Sequence, residues 1–270
     1  MFTPKYRSVT YLFLFFLITV SFLSLTGCGQ RTESSPIPDF DYTGSDPKAI
    51  KIAEQVMEAL GGKENWDNTR YIAWDWFGKR LNVWDKWTGR YRVASRVSLI
   101  ILNLHTGEGK AWKFGHEMAG DDLKGLLEYG AEAWANDSYW LFAPYKLKDP
   151  GVTLKYLRED TTRDGRQADV ISVTFNSVGV TPNNKYHLYI DKETKLLAQW
   201  SYFMDRDDAF PRFTTEWRNW QKYGDILISD DPGPGPRKKH KNIMVFQTLP
   251  DSVFQTSAII DWEPIKKEYH

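Results

Sequence analysis

The sequence predicts a mainly β, α+β fold in which a curved antiparallel sheet has helices packed in its concave side. Residues 185–229 show the pattern most clearly, because short stretches with alternating apolar side chains are separated by brief polar turns. Segments of this length suit neighbouring antiparallel strands. Aromatic residues make up 15% of the chain and include 12 tryptophans, which favours strands. A long twisted sheet tends to curl, and its hollow side can then accept helices.

The N-terminus carries the most specific motif of the chain. Lys5 and Arg7 precede a nearly continuous apolar run over residues 9–25, and Gly27 then comes directly before Cys28. A basic start followed by an apolar run and a small residue is typical of a secretory signal peptide. The segment resembles a bacterial lipobox, which implies cleavage before Cys28 and diacylation of its sulfur. The alternative is an uncleaved transmembrane anchor with an incidental cysteine.

Acyl chains on Cys28 would anchor the protein to a membrane, since each buried methylene contributes about 0.8 kcal/mol. Because Cys28 is the only cysteine, its acylation leaves no thiol for a disulfide or for a thiolate metal site. We therefore expect a cell-envelope protein that is lipid-anchored to the bacterial membrane, with the periplasmic side of the outer membrane favoured. Gly29 and Gln30 alone do not decide between the inner and the outer membrane.

Three parts are predicted along the chain: a lipoprotein signal peptide at 1–27, a flexible tether at 28–45 and a single folded domain at 46–270. The tether contains serine and proline among polar residues, which is typical of an extended linker. The sequence after the tether shows no repeat of fixed period and no second linker. The length of the remaining chain is compatible with one large domain.

The domain begins with a predicted helix over residues 46–60. Asp46 is a suitable N-cap, Pro47 is tolerated at the first helical position, and Gly61 and Gly62 end the helix. One apolar stripe indicates that this helix packs on a sheet. A peripheral membrane helix is the alternative.

Four strands are predicted between residues 71 and 104. In the third of them Tyr91 and Val93 alternate with Arg90 and Arg92, which predicts one buried face and one face in water. Binding of an anion by the row of arginines is the alternative.

A second helix is predicted over residues 121–135. Gly125 and Gly130 weaken this prediction, since a glycine costs about 1 kcal/mol in a helix interior. An aromatic segment at 137–147 is expected to cross to the second half of the chain, which reads as strand after strand. Its last strand, at 253–262, is expected to close the sheet.

No catalytic or metal-binding motif stands out in the sequence. None of the five histidines forms a ligand pair at helical spacing. Asp205, Asp207 and Asp208 resemble part of a calcium loop, but its glycine and distal glutamate are missing, so an acidic loop is favoured. A net charge of +0 gives no basic field for nucleic acid. We therefore expect no cofactor, no metal, no nucleic-acid partner and no enzymatic activity.

Large aromatic side chains are the candidates for contact with a ligand. A curled sheet with an apolar interior often encloses a cavity. The rings expected to line such a cavity are Trp74, Trp76, Trp84, Trp200, Trp217 and Trp220. Packing in the core without ligand contact is the alternative for each ring.

The order of the elements resembles the LolA/LolB-like (lipoprotein localisation factor-like) envelope proteins, in particular their uncharacterised lipoprotein branch. The resemblance covers about residues 46–262 and rests on the first helix and meander, WLFAPYKL at 140–147, LYIDKETKLL at 188–197 and YGDILI at 223–228. It implies an unclosed β-barrel wrapped around helices, with a cavity that can take acyl chains.

Three functions are open as hypotheses. The favoured one is a membrane-anchored lipoprotein that binds a hydrophobic or amphiphilic ligand, such as a lipid or an acyl chain, in a half-barrel cavity without catalysis. The second is a structural or interaction lipoprotein with a filled core that docks on another protein of the cell envelope. The third is a hydrolase, which would need two carboxyl groups about 5–9.5 Å apart in a cleft.

Overall fold

The structure, a computed structural model, describes residues 39–176, 178–233 and 239–269. The predicted signal peptide, Cys28 and the tether up to residue 38 lie outside the described residues. All the described residues belong to one compact unit. None of the helices in these ranges is long and apolar enough to cross a membrane.

The described chain alternates long runs of strands with a few helices. The helices are α1 (Pro47–Ala59), α2 (Lys63–Asn68), α3 (Gly120–Phe142) and α4 (Trp262–Tyr269), with short 3₁₀ helices at Ala143–Lys146 and Asp251–Phe254. The strands are β1 (Tyr71–Trp76), β2 (Arg80–Asp85), β3 (Arg90–Ala94), β4 (Ser98–Asn103), β5 (Gly109–Lys113), β6 (His116–Glu117), β7 (Val152–Thr161), β8 (Gln167–Phe175), β9 (Lys185–Asp191), β10 (Leu197–Phe203), β11 (Phe213–Glu216), β12 (Arg218–Tyr223), β13 (Ile226–Asp231) and β14 (Lys241–Phe246).

The strands pair in three antiparallel sheets, whereas the sequence predicted one curved sheet. The first sheet has the order β14-β1-β2-β3-β4-β5-β6, the second has the order β11-β10-β9-β8-β7, and β12 pairs with β13. No ladder within the described ranges joins β6 to β7, so these strands do not close a barrel. The mainly β, antiparallel class is therefore confirmed, with the continuous sheet replaced by three.

Single backbone hydrogen bonds connect the two-stranded sheet to both larger ones. The N–H of Trp217 donates to the carbonyl oxygen of Ala198 at 2.8 Å, and the N–H of His240 donates to the carbonyl oxygen of Asp230 at 2.8 Å. Asn219 has a φ of 56°, in the left-handed region, so β12 bends one residue after it begins. This bend separates β12 from the second sheet and explains why the alternating pattern did not continue as one sheet.

The predicted tether at 28–45 includes residues that belong to the folded domain. The N–H of Asp41 donates to the carbonyl oxygen of Val152 at 3.1 Å, and the carboxylate of Asp46 accepts the N–H of Tyr156 at 2.9 Å. The residues directly before α1 are therefore bound to β7. Their polar side chains looked like a linker because their partners lie about a hundred positions further along the chain.

Helix α3 is longer than the 121–135 predicted, since it continues to Phe142. The aromatic residues expected to cross between the halves form its last turns and contact both large sheets. The ring centroid of Phe142 lies 5.6 Å from that of Trp74 in the first sheet. The ring centroid of Tyr139 lies 5.1 Å from that of Tyr186 in the second sheet. Contacts on two sides of α3 override the weaker helix propensity of aromatic residues.

Gly130 brings α3 close to β4. A Cβ atom at this position would lie 2.9 Å from Cγ2 of Ile100 and 3.0 Å from Cδ2 of Leu102. These distances are shorter than normal carbon contacts, so a larger residue would push the helix away from the sheet. The glycine that weakened the helix prediction is therefore what allows the packing.

The C-terminal segment covers the outer face of the first sheet instead of adding a strand at 253–262. Val253 and Phe254 pack with Tyr71 and Phe246 in a hydrophobic cluster separate from the main core. The strand prediction was wrong because apolar residues here fill this cover rather than alternate along a sheet.

The prediction that the arginine face of β3 lies in water is also wrong. The guanidinium of Arg92 is buried and donates to the carbonyl oxygens of Thr256 at 2.6 Å and Ala258 at 2.7 Å. Burial lowers the pKa of Arg92 to about 10, which still leaves it cationic at neutral pH. Arg90 is bound by the buried carboxylate of Asp85 at 3.0 Å. The arginines therefore hold neighbouring segments of the chain, and they leave no open row for an anion.

Candidate functional site: an aromatic cavity beside helix α3

A mostly apolar cavity with a volume of about 310 Å³ lies between α3 and the second sheet. This volume is at the lower end of the range for small-molecule sites, about 300–1,000 Å³. The lining residues are Ala135, Asn136, Tyr139 and Trp140 of α3, Phe175, Tyr186, Tyr202 and Phe213 of the second sheet, and Val178, Gly179, Val180, Thr181 and Asn184 of the β8–β9 loop.

Exposure distinguishes the mouth of the cavity from its interior. Asn136, Val180 and Thr181 are exposed, whereas Asn184 is buried and the aromatic rings are half-buried. The mouth therefore lies between α3 and the β8–β9 loop. On the helix, residues at positions i, i+3 and i+4 lie on one face, which explains how Asn136, Tyr139 and Trp140 line the same wall.

Six aromatic rings form a connected wall around the interior. Their centroids are separated by 5.9 Å (Phe175–Tyr139), 5.1 Å (Tyr139–Tyr186), 5.3 Å (Tyr186–Tyr202), 5.1 Å (Tyr202–Phe213) and 5.8 Å (Phe213–Trp140). These separations are typical of favourable aromatic pairs. The rings therefore support one another through direct contacts.

The strand register places three of these rings side by side. Tyr202 of β10 pairs with Tyr186 of β9 on one side and with Phe213 of β11 on the other. Residues paired directly across antiparallel strands lie on the same face of the sheet. The alternation along each strand then points all three rings toward α3.

Trp200 supports this wall from behind. It is 1% exposed, and its ring centroid lies 5.1 Å from that of Tyr186 and 5.0 Å from that of Trp140. One of the six predicted tryptophans thus packs directly against rings that line the cavity, although it does not line the cavity itself.

The polar groups of the cavity are amides and hydroxyls. The side-chain nitrogen of Asn184 donates to Oγ1 of Thr181 at 2.6 Å, and the hydroxyl of Tyr202 donates to Oδ1 of Asn184 at 3.4 Å. No charged side chain occurs among the described residues that line the cavity. Burial raises the pKa of Tyr139 and that of Tyr186 well above the usual range, so both hydroxyls stay neutral. The lining as a whole is uncharged.

Hydrogen bonds from a second loop hold the mouth in position. The guanidinium of Arg206 donates to the carbonyl oxygens of Phe175 at 2.9 Å and Pro182 at 3.0 Å. The ammonium of Lys185 donates in turn to the carbonyl oxygens of Arg206 and Asp208, the latter at 3.0 Å. The acidic loop 205–208 is therefore tied to the mouth through the Arg206 side chain and through its own backbone carbonyls.

A buried ion pair fixes α3 to the first sheet next to the mouth. The guanidinium of Arg80 donates to both carboxylate oxygens of Asp137, at 2.8 Å and 2.5 Å, and Asp137 is fully buried. The side chain of Asn136 donates to the same carboxylate at 2.9 Å. This bidentate pair sets the rotation of the helix, and with it the direction in which Tyr139 and Trp140 point.

His240 holds the C-terminal end of the same helix wall. Pro144 has no N–H to donate to the carbonyl of Trp140, four residues earlier, and Nε2 of His240 lies 3.2 Å from that oxygen. The imidazole also stacks on Phe77 at a centroid distance of 4.6 Å. Burial lowers the pKa of His240 to about 4, so it is neutral at pH 7.

The six predicted tryptophans lie in or against the core, and none of them lines this cavity. Trp74 and Trp217 are fully buried, Trp84 is 8% exposed, and Trp76 and Trp220 are partly buried against the main cluster. None of these rings therefore lines the site that the structure does form, although Trp200 packs behind its wall. Ligand contact by the tryptophans stays a prediction.

Sequence reasoning missed the residues that line the cavity. The sequence predicts a crossing segment for Tyr139 and Trp140, and for Phe213 it predicts only a place in the strands of residues 185–229. A signal was present in Tyr186 and Tyr202, which both follow the alternating pattern. The missing information was the register that puts these two rings opposite each other.

A second cavity, with a volume of about 340 Å³, lies on the outer face of the first sheet beside the C-terminal segment. Its lining includes Arg90, Glu108, Lys110, Trp112 and Phe254. Among the described residues, neither cavity is lined by two carboxylates, the arrangement that the hydrolase hypothesis needs. In the same ranges no group of three or more His, Cys, Asp or Glu side chains could hold a metal ion.

The chain is similar to several solved structures at low identity. No family model matches it, and no curated protein matches it. A DUF1329 family protein from Desulfovibrio piger ATCC 29098 is similar at 14% identity and a TM-score of 0.42, over 80% of this chain and 100% of that chain. MucB is similar at 17% identity and a TM-score of 0.22, over 58% of this chain and 53% of that chain.

MucB in complex with MucA(peri) is similar at 14% identity and a TM-score of 0.23, over 78% of this chain and 60% of that chain. Similarities at these scores carry no inference about function. The resemblance to LolA/LolB-like proteins stays a prediction.

Proposed function

We propose that this domain is a non-catalytic binding module that takes up an apolar or amphiphilic ligand in the cavity beside α3. The observation that carries the proposal is the cavity itself, about 310 Å³ with a mostly apolar, uncharged lining and a mouth between the helix and the β8–β9 loop. A concave, largely apolar site with a few polar groups is the usual form of a small-molecule site. It supports the favoured hypothesis over a domain whose core is completely filled.

Size limits what this cavity can hold. A volume of about 310 Å³ lies at the lower end of the range for small-molecule sites, about 300–1,000 Å³, so the cavity has room for a single small molecule. This room suits one small ligand or one short chain. A lipid with two or more acyl chains would have to leave most of its apolar surface outside.

Uptake of a neutral apolar fluorescent probe, N-phenyl-1-naphthylamine, tests the proposal. Ala135 lines the cavity, so Ala135→Leu fills part of the space without removing a polar group. We expect saturable one-to-one uptake by the wild-type domain and at least a tenfold weaker affinity in Ala135→Leu. The control is Ala119→Leu, since Ala119 is exposed before the start of α3 and outside both cavities. Equal affinities for all three proteins, or no saturable uptake, would reject the site.

Anchoring through Cys28 is the second part of the proposal, and it is supported by the sequence motif alone. A lipid-anchored module would present its cavity close to a membrane of the cell envelope. Cys28→Ser removes the acceptor sulfur, so we expect the variant protein to leave the membrane fraction on high-salt washing. Retention of Cys28→Ser protein in that fraction would show that acyl chains are not what holds it.

Docking on another envelope protein remains the alternative function, and exposed apolar side chains favour it. Val180, at the mouth, is 52% exposed, and Met204 and Phe210, in the loop that supports the mouth, are 59% and 84% exposed. A surface of this kind suits contact with a partner. Capture of one stoichiometric envelope protein by the wild type, lost in Phe210→Ser, would favour docking. Capture of none would favour ligand binding alone.

A further inference from the structure

The chemistry of the cavity wall narrows the class of ligand. Apart from the buried amide of Asn184, the side chains in the interior are aromatic, namely Tyr139, Trp140, Phe175, Tyr186, Tyr202 and Phe213. Among the described residues of the lining, the aliphatic side chains are limited to Ala135 and two valines at 178 and 180, with no leucine or isoleucine. A cavity shaped for an acyl chain would be expected to have aliphatic walls, which gain from buried area in any orientation.

Aromatic walls stabilise a bound flat ring by more than the burial of its apolar surface alone. Ring pairs prefer offset stacked or edge-to-face contacts, which add stability through the charge distribution of the rings. The wall already shows both arrangements, since Trp140 and Phe213 stack at an interplanar angle of 20° whereas Phe175 and Tyr139 meet at 73°. A planar ligand would continue this set of contacts, and a flexible chain would not.

Charge is disfavoured in the interior. A charged group taken from water into a lining without an opposite charge loses hydration that nothing replaces. The polar side chains of the described lining are the amides of Asn136 and Asn184, the Thr181 hydroxyl and the tyrosine hydroxyls, all neutral. Tyr139 lines the cavity, and its hydroxyl makes no hydrogen bond to the described residues.

We infer that the ligand of this site is a single neutral molecule that carries a flat ring and a hydrogen-bonding group, rather than an extended acyl chain or a charged lipid. The inference rests on the proposed function, because it assigns a ligand class to the same cavity. The ring would lie among the six aromatic side chains, and its polar group would reach Asn184 or Tyr139.

Binding of three probes to the wild-type domain separates the effect of ligand shape from the effect of ligand charge. 2-Naphthol is a neutral ring alcohol, 1-octanol is a neutral chain alcohol of similar hydrophobicity, and 2-naphthoate is the charged ring. We expect calorimetric titration to show that 2-naphthol binds about fivefold more tightly than 1-octanol, the factor given by one or two favourable ring pairs. We expect 2-naphthoate to bind at least tenfold more weakly than 2-naphthol, because its carboxylate has no cationic partner in the lining.

Two variants test whether the aromatic wall causes the preference for 2-naphthol over 1-octanol. Phe213→Leu removes one ring of the wall but keeps an apolar side chain, so it should weaken 2-naphthol by about fivefold and leave 1-octanol within twofold. The matched control is Phe203→Leu, on the same sheet, because Phe203 does not line the cavity and should change neither affinity. Thermal melting confirms that each variant is folded before it is titrated.

The possible outcomes distinguish the inference from the proposed function beneath it. Equal or tighter binding of 1-octanol would overturn the ring assignment while leaving a binding cavity in place. Equal affinities for 2-naphthoate and 2-naphthol would overturn the inference that the ligand is neutral. Absence of binding by all three probes, together with no uptake of N-phenyl-1-naphthylamine, would reject the binding function itself.

Discussion

Replacing Asp137 by asparagine removes the carboxylate that fixes α3 beside the cavity. Asp137 is fully buried and accepts two hydrogen bonds from Arg80, at 2.8 Å and 2.5 Å, so the variant leaves a guanidinium largely buried without its counter-charge. Breaking a buried pair in this way costs about 3–5 kcal/mol. Asparagine keeps the size and one acceptor, so we expect about 3 kcal/mol. For a domain of this size, that loss corresponds to a melting temperature lower by about 6–12 °C.

Urea unfolding of the wild type and Asp137→Asn measures this loss directly. The control is Glu128→Gln on the same helix, since its pair with Lys124 is 4.0 Å apart and exposed, and its removal should cost under about 0.5 kcal/mol. The double variant Arg80→Met/Asp137→Leu should lose less than Asp137→Asn, because no unpaired charge remains. A loss below about 1 kcal/mol in Asp137→Asn would refute the view that this pair holds α3.

Three further predictions concern the elements around the site. The pKa of His240 is lowered to about 4, so folding favours the neutral imidazole. The contribution of His240 to the free energy of unfolding should therefore be complete above pH 6.5 and fall as the pH is lowered toward 4. His240→Gln should reduce this fall, measured by urea unfolding at a series of pH values. Gly61→Ala should cost about 2–4 kcal/mol in the same assay, because its Cβ would lie 2.4 Å from the carbonyl oxygen of Asp225 at a φ of 116°. Gly107→Ala, at a φ of 73° and with open space around its Cβ, should cost less. Tyr145→Phe should cost about 1 kcal/mol in urea unfolding, because the hydroxyl that reaches the carbonyl oxygens of Leu60 and Leu227 is lost.

The alternating side chains allowed the β-rich antiparallel class to be predicted, because burial on a sheet has a period of two. The pattern of Tyr186, Leu188 and Ile190, for example, corresponds to β9. The division into three sheets was not visible, since it depends on the backbone of Asn219 and on hydrogen bonds between distant segments. Pairing between strands is a tertiary property that local patterns do not contain.

The site was harder to predict than the fold. Size and aromatic character pointed to tryptophans, but Trp74 and Trp217 fill the core. The cavity is instead lined by Tyr139 of a helix that was predicted too short and by Phe213 of a strand whose neighbours were unknown. Arg92 shows the same limit, because its partners are backbone carbonyls that no sequence pattern marks.

The most direct test of a ring-lined binding site is to locate a bound ring on the protein. Intermolecular nuclear Overhauser effects between 2-naphthol and the isotope-labelled domain report which side chains lie within contact distance of the ligand. We predict contacts to the methyl group of Ala135 and to the rings of Tyr139 and Phe213. Contacts confined to Trp112 and Phe254 in the second cavity, or spread over the surface without saturation, would contradict a function centred on the cavity beside α3.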